Sequence, residues 1–273
     1  MENLSKFYVN GEWVAPCSPD TMPVLNPVNV KKLGEVALGN EADVDRAVAA
    51  AVAAFDHFSR WTKDERLALL QRIRAVSEAR FEELAQAMRM EMGAPITMAR
   101  EAQADAAIGH LDGFVTALER LEEHESFDNG EMLLREPIGV CGLITPWNWP
   151  INQVVLKVLP VIATGCTCVL KPSEHTPISA MIYAEILHEA GVPAGVFNLV
   201  NGTGPVVGSA LSRHADIQMM SFTGSTRAGT AVTQDAAPSV KRVTLELGGK
   251  SPNLVFADCD LETRVTQSVA ECM

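Results

Sequence analysis

An α/β fold is the class that this sequence predicts: a mainly parallel sheet with helices on both faces. Three observations predict it. From Gly139 onward, short apolar runs alternate with longer helical patterns, the rhythm of βαβ units. The runs are apolar on both sides rather than alternating, as buried parallel strands require. The polar, glycine-containing segments recur just after the strands, where ligands of open α/β sheets bind.

Along the chain, Phe7 to Val14 reads as an opening strand region, followed by Pro-rich turns to Pro27. Asn40 is placed to cap a helix carrying Val44, Val48, Ala51, Val52, Phe55 and Phe58 on one side. Thr62 with Glu65 forms a capping box, which opens a long helix with Leu67, Leu70 and Ile73 along one stripe. Gly93 and Pro95 close that helical region after an internal break. A third helix repeats Ile108, Leu111, Val115 and Leu118. These stripes predict helices packed on a sheet. Asp128-Asn129-Gly130 is a turn signal between two short extended segments.

The strands follow: Val140 to Thr145, Thr167 to Lys171, Val196 to Val200, Ile217 to Phe222 and Val240 to Leu245. Helices are expected over Ile151 to Ala163, from Thr176 (N-cap) and Pro177 (first position) to the stop at Gly191 and Pro193, near Pro205 to Arg213, and over Thr226 to Asp235. Leu261 to Met273 reads as a helix with no glycine, proline or basic stop signal.

Composition narrows the function. At 273 residues the chain can bury a substantial core. Its net charge of −12 argues against nucleic acid or an anionic membrane as partner. With no signal peptide or apolar run of transmembrane length visible, a cytoplasmic location is expected. The six cysteines, Cys17, Cys141, Cys166, Cys168, Cys259 and Cys272, are irregularly spaced and read as reduced thiols. Cys166 and Cys168 share one strand face with no His or second pair nearby, so buried thiols are expected and no metal site.

The chemistry lies in four segments. Lys171-Pro172-Ser173-Glu174 ends a strand with an ammonium that can donate to ribose hydroxyls and a carboxylate that can accept from them; a solvated ion pair is the plain alternative. Phe222-Thr223-Gly224-Ser225-Thr226 places hydroxyls and a glycine at a helix entrance suited to a pyrophosphate, or simply a Ser/Thr cap. Asn201-Gly202-Thr203-Gly204-Pro205 is a weaker version. Thr145-Pro146-Trp147-Asn148-Trp149-Pro150 is a rigid loop whose amide can donate to an oxyanion, or to loop backbone. Leu245-Glu246-Leu247-Gly248-Gly249-Lys250 puts a carboxylate at a strand end before two glycines, a general-base arrangement.

Taken together and in this order, these segments closely resemble the NAD(P)-dependent aldehyde dehydrogenase superfamily. The resemblance implies a Rossmann-like parallel sheet with helices on both faces, N-terminal helices and a β-hairpin oligomerisation arm. It divides the chain into residues 1–124 (strand and helices of the dinucleotide-binding domain), 125–138 (the arm), 139–250 (the dinucleotide-binding core) and 251–273 (the start of a catalytic domain whose remainder is missing). By resemblance, Glu246 is the general base, Asn148 the oxyanion donor and Lys157 a lysine near the proton path. Thr145, Trp147, Lys171, Ser173, Glu174, Gly204, Thr223, Gly224, Ser225, Gly229 and Leu247 would bind the cofactor. A 2′-phosphate would be repelled by Glu174, which points to NAD over NADP. The implied reaction is aldehyde, NAD and water to carboxylic acid and NADH, with a small-molecule aldehyde as substrate, and a homo-oligomer as the complete assembly.

One departure matters. The family's nucleophilic cysteine lies downstream of the base in an Asn-x-Gly-Gln-x-Cys context, and Cys272, in Val269-Ala270-Glu271-Cys272-Met273, comes too early and lacks that context. The expectation is an N-terminal portion, inactive on its own. The alternatives are a non-catalytic NAD-binding or assembly fragment and an NADPH-linked or acyl-transferring semialdehyde enzyme. Glu174 and Glu246 oppose the last of these. Glu246 and Asn148 should face one crevice.

Overall fold

The computed structural model describes residues 3–272. Strands β1 (Phe7–Val9) and β2 (Glu12–Val14) turn through Asn10 and Gly11, both at positive φ. β3 (Thr21–Leu25) and β4 (Lys32–Ala37) form a separate antiparallel pair. This corrects the reading of the segment up to Pro27 as turns only. Pro23 sits in the ladder opposite Glu35, which is tolerable because both strands of a two-stranded sheet are edges.

α1 (Glu41–Phe58) starts at Asn40, whose side chain accepts from the Asp43 N–H while the Asp43 carboxylate accepts from the Asn40 N–H, each at 3.2 Å. α2 (Lys63–Ala79) starts with the expected box of Thr62 and Glu65. A break at Arg80 separates it from α3 (Phe81–Glu91). Beyond Pro95, α4 (Ile96–Met98), a π-helical stretch over Ala99–Ala104 and α5 (Asp105–Arg120) follow one another directly. β5 (His124–Ser126) and β6 (Met132–Leu134) make the hairpin. Its base is anchored by buried Arg66, which pairs with Glu123 and donates to the Ala163 carbonyl at 2.6 Å.

Then come β7 (Val140–Ile144), α6 (Pro150–Ala163), β8 (Thr167–Lys171), α7 (Ile178–Glu189) and β9 (Phe197–Leu199). A π-helical turn at Gly204–Gly208 leads into α8 (Ser209–Arg213), followed by β10 (Met219–Thr223), α9 (Thr226–Ala236), β11 (Arg242–Glu246) and α10 (Leu261–Cys272). Met273, the expected end of the last helix, lies outside the described residues.

The main sheet has the order β11-β10-β7-β8-β9-β1-β2. The strands from β11 to β9 run parallel, and β1 and β2 add an antiparallel margin. β7 and β8 are buried at every residue, the physical origin of their unbroken apolar runs. One face is covered by α1, α8 and α9 over a core that includes Phe7, Val48, Val169, Val200 and Phe222. The other face is covered by α6 and α7. Outside these lie α2, α3 and α5, a further helical layer. The stripes of α2 and α5 therefore meet α6 and α7, not the sheet as read from sequence. An amphipathic stripe reports an apolar neighbour and says nothing of whether that neighbour is a strand or a helix.

Two boundaries also change. Val240, expected in a strand, ends a 3-10 turn in the left-handed region at φ 52°, and β11 begins two residues later. Thr176 does not cap α7: its hydroxyl is buried with no partner, and the helix begins at Ile178. Cys141, Cys166 and Cys168 are buried free thiols, whereas Cys17 is exposed and Cys259 half-buried. Among the described residues no cluster of three His, Cys, Asp or Glu side chains could hold a metal ion. Among them, too, no helix is long and apolar enough to cross a membrane.

Candidate active site

Parallel pairing brings the carboxyl ends of β7, β8, β9, β10 and β11 to one edge of the sheet. Every segment singled out for chemistry lies along it. Thr145, just past β7, is buried and donates its N–H to the Lys171 carbonyl at 3.2 Å, so the loop after β7 is sewn to the end of β8. Trp147 and Asn148 stand exposed on that loop.

At the end of β8 the Lys171 ammonium donates to Glu174 at 2.8 Å and to the Pro172 carbonyl at 3.1 Å. The pair is not the solvated one considered from sequence, since the Lys171 side chain is only 4% exposed and that of Glu174 22%. Burial holds Lys171 below the usual lysine range, opposed by Glu174. Burial also pushes the Glu174 carboxyl up, but the Lys171 charge and hydrogen bond outweigh it, and the net shift is downward. Ser173 is buried and its hydroxyl accepts the His175 N–H at 3.3 Å.

β10 turns into α9 through Thr223, Gly224 and Ser225. The Ser225 hydroxyl accepts from the Ala228 N–H at 3.2 Å, the cap that the sequence allowed. As at any helix start, the first N–H groups lack intrahelical partners. The Thr223 hydroxyl is buried without one as well. Gly224 donates to the Glu246 carbonyl at 2.9 Å, and a Cβ on Gly229 would lie 2.6 Å from Leu247. Thus α9 sits close against the end of β11. Gly204 opens a second helical start, with nothing within 4 Å of where a Cβ would be.

Glu246 pairs in register with Thr223, and Ser221 lies two residues earlier on the same face. From α6, Lys157 donates to the Ser221 hydroxyl at 2.9 Å. Burial pushes Lys157 down to about 8, against an upward pull from the Glu246 charge. Lys157, Ser221 and Glu246 thus share one side of the sheet. The end of β7, which leads to Asn148, lies two strands from that of β11, roughly 10 Å at the usual strand spacing.

Sequence reasoning missed two residues here. Ser221 carries no signal beyond its place in a strand. Glu91 had one: it continues the apolar stripe of Leu84 and Met88 on α3, yet is fully buried. Its carboxylate accepts the N–H groups of Ile178 at 2.6 Å and Ser179 at 3.0 Å.

A sequence model described as the aldehyde dehydrogenase family matches residues 13–273. A 3-succinoylsemialdehyde-pyridine dehydrogenase from a Pseudomonas species is 50% identical over 276 residues, covering 100% of this chain and 57% of its own length. Among solved structures, a mutant aldehyde dehydrogenase C from Pseudomonas syringae, in complex with NAD+ and octanal, superposes with a TM-score of 0.96 at 50% identity. That match covers 98% of this chain and 55% of the other. A betaine aldehyde dehydrogenase from Staphylococcus aureus in complex with NAD+ matches at a TM-score of 0.93 and 33% identity, over 98% of this chain and 54% of that one. The chain therefore spans about half the length of the curated relatives it matches.

Proposed function

Because the chain belongs to the aldehyde dehydrogenase family, we propose that residues 139–250 bind NAD across the carboxyl edge of the sheet, and that the whole protein oxidises an aldehyde to the acid. The observation that carries this is the buried Lys171–Glu174 pair beside two helix starts. Glu174 keeps part of its carboxylate open to solvent, able to accept from ribose hydroxyls. The first N–H groups of α9 suit a pyrophosphate, and Gly204 leaves open space for its approach. These residues fit the cofactor, which when bound accepts a hydride.

The remaining residues supply proton and charge handling. Glu246 is exposed at a strand end, where it can take a proton from water. Lys157, lowered towards neutrality and tied to Ser221, can hold or pass a proton beside it. Asn148 stands on the rigid loop as an oxyanion donor. The exposed Met132, Leu133 and Leu134 on the hairpin support its reading as an oligomerisation arm. In these 273 residues no cysteine has the family's nucleophile context. The polypeptide alone is therefore read as binding cofactor without oxidising aldehydes.

Isothermal calorimetry tests the cofactor reading. NAD should bind more tightly than NADP, and Glu174→Ala should shrink the difference. Equal or tighter NADP binding to the unaltered chain would refute it. NADH formation from short aliphatic or aromatic aldehydes, abolished by Cys272→Ala, would refute the inactivity of the polypeptide.

A further inference from the structure

We propose that Glu91 is a positioning residue for the cofactor site: by capping α7 from another helix, it fixes the turn that carries Lys171 and Glu174. This rests on the NAD-binding reading. The turn over residues 172–177 is held at one end by the ladder of β8. Inside it are short-range bonds: Lys171 to Glu174, His175 N–H to the Ser173 hydroxyl, and Thr176 N–H to the Ser173 carbonyl at 3.2 Å. At its other end α7 supplies no cap of its own. Pro177 has neither an N–H nor a polar side chain, and the Thr176 hydroxyl makes no bond. The cap comes from Glu91, 87 residues earlier in the chain from Ile178, whose two oxygens take one N–H each.

Packing buries the residues of this helix start but satisfies none of its N–H groups. A cavity of about 630 Å³ lies there, lined by Met22, Leu25, Glu91, Trp147, His175 and Thr176 among others. Ile178 is seated in the core on its other side, and the two hydrogen bonds from Glu91 fix the direction of its backbone N–H groups. A helix start that loses its cap frays within its first turn. Glu174 is four residues from that start.

The carboxyl is also set to respond to pH. Burial pushes Glu91 up to about 7, against the N–H bonds from Ser179 and Ile178. No ionisable group of the β3–β4 hairpin or the first turn of α7 lines the cavity, and His175 of the turn is the other ionisable side chain there.

The test uses the 273-residue chain, with Glu91→Gln as the near-isosteric variant, Glu91→Ala as the full deletion and Glu91→Asp as the conservative rescue. In Glu91→Gln, amide exchange at Ile178 and Ser179 should speed up. NAD affinity should fall by about fivefold, the worth of one N-cap, and the preference for NAD over NADP should shrink towards that of Glu174→Ala. In the unaltered chain NAD affinity should fall from pH 6 to pH 8 as Glu91 ionises, because the seated state of this buried carboxyl holds its proton more tightly than a frayed one. The profile of Glu91→Gln should be flat, which separates Glu91 from His175. Glu91→Asp should recover part of the affinity. Faster exchange with unchanged NAD affinity and preference would overturn the positioning role and leave a structural cap only, and unchanged exchange would overturn the cap itself. Failure of the unaltered chain to bind NAD would overturn the function reading and this role with it.

Discussion

Removing one member of the Lys171–Glu174 pair should cost far more than removing the other. In Glu174→Ala the Lys171 ammonium, 4% exposed, keeps one carbonyl at 3.1 Å and loses its charged partner. Stranding a buried charge costs about 3–5 kcal/mol. Water can reach the Glu174 side of the pair, so the lower end applies, about 3 kcal/mol. For a chain of this length the unfolding entropy is on the order of 0.6 kcal/mol per degree, which makes the loss about 5 °C in Tm. In Lys171→Met the buried charge goes and a side chain of similar length stays. Glu174, 22% exposed, can turn to solvent, and the cost should stay under about 1 kcal/mol. The double variant should resemble Lys171→Met alone. Thermal unfolding by circular dichroism of the four proteins closes the cycle. Equal losses in the two single variants, or no loss in Glu174→Ala, would show that the ammonium is solvated and that the pair is no buried anchor.

Two further outcomes are expected. Glu91 has a folded-state pKa of about 7 against an ordinary 4.5, so the native state holds a proton that the unfolded chain has released. Stability should therefore fall as pH rises from about 4.5 to about 7, by about 3 kcal/mol. The slope should be shallower in Glu91→Gln, and identical slopes in urea titrations would contradict this. Val240, 89% exposed with φ at 52°, holds a β-branched residue in the left-handed region. Val240→Gly should stabilise the protein by about 1 kcal/mol, read from the urea midpoint, and a destabilisation would show that its side chain has unseen support.

The parallel core was legible because β7 and β8 are buried on both faces, so their burial is written directly as apolar runs. The caps at Asn40 and Thr62 were legible because both partners lie within one turn. Glu91 was not: its partners are on another helix, and nothing local marks a long-range cap. Thr176 failed for the complementary reason. It has a capping residue's chemistry, but the distant carboxylate occupies the place. β3 was hidden by Pro23, since a proline argues against a strand except at an edge. The sequence put Lys171 and Glu174 at a strand end but could not show that they bind each other out of solvent.

The antiparallel margin of the sheet imposes an order on synthesis. Strands β7, β8 and β9 leave the ribosome in succession, and each can dock on the one before. β1 precedes them and can pair at once with β2, yet its partner within the main sheet is β9, and the Asn10 N–H donates to the Asn198 side chain across a separation of 188 residues. At about 5–20 residues per second, β1 waits roughly 10–40 s for that partner. During the wait Phe7, Tyr8 and Val9, all buried in the finished protein, have only β2 to pair with and no main sheet to cover them. The margin of the sheet that comes first in the chain is therefore completed only once β9 has emerged, shortly before β10 and β11 extend the opposite margin.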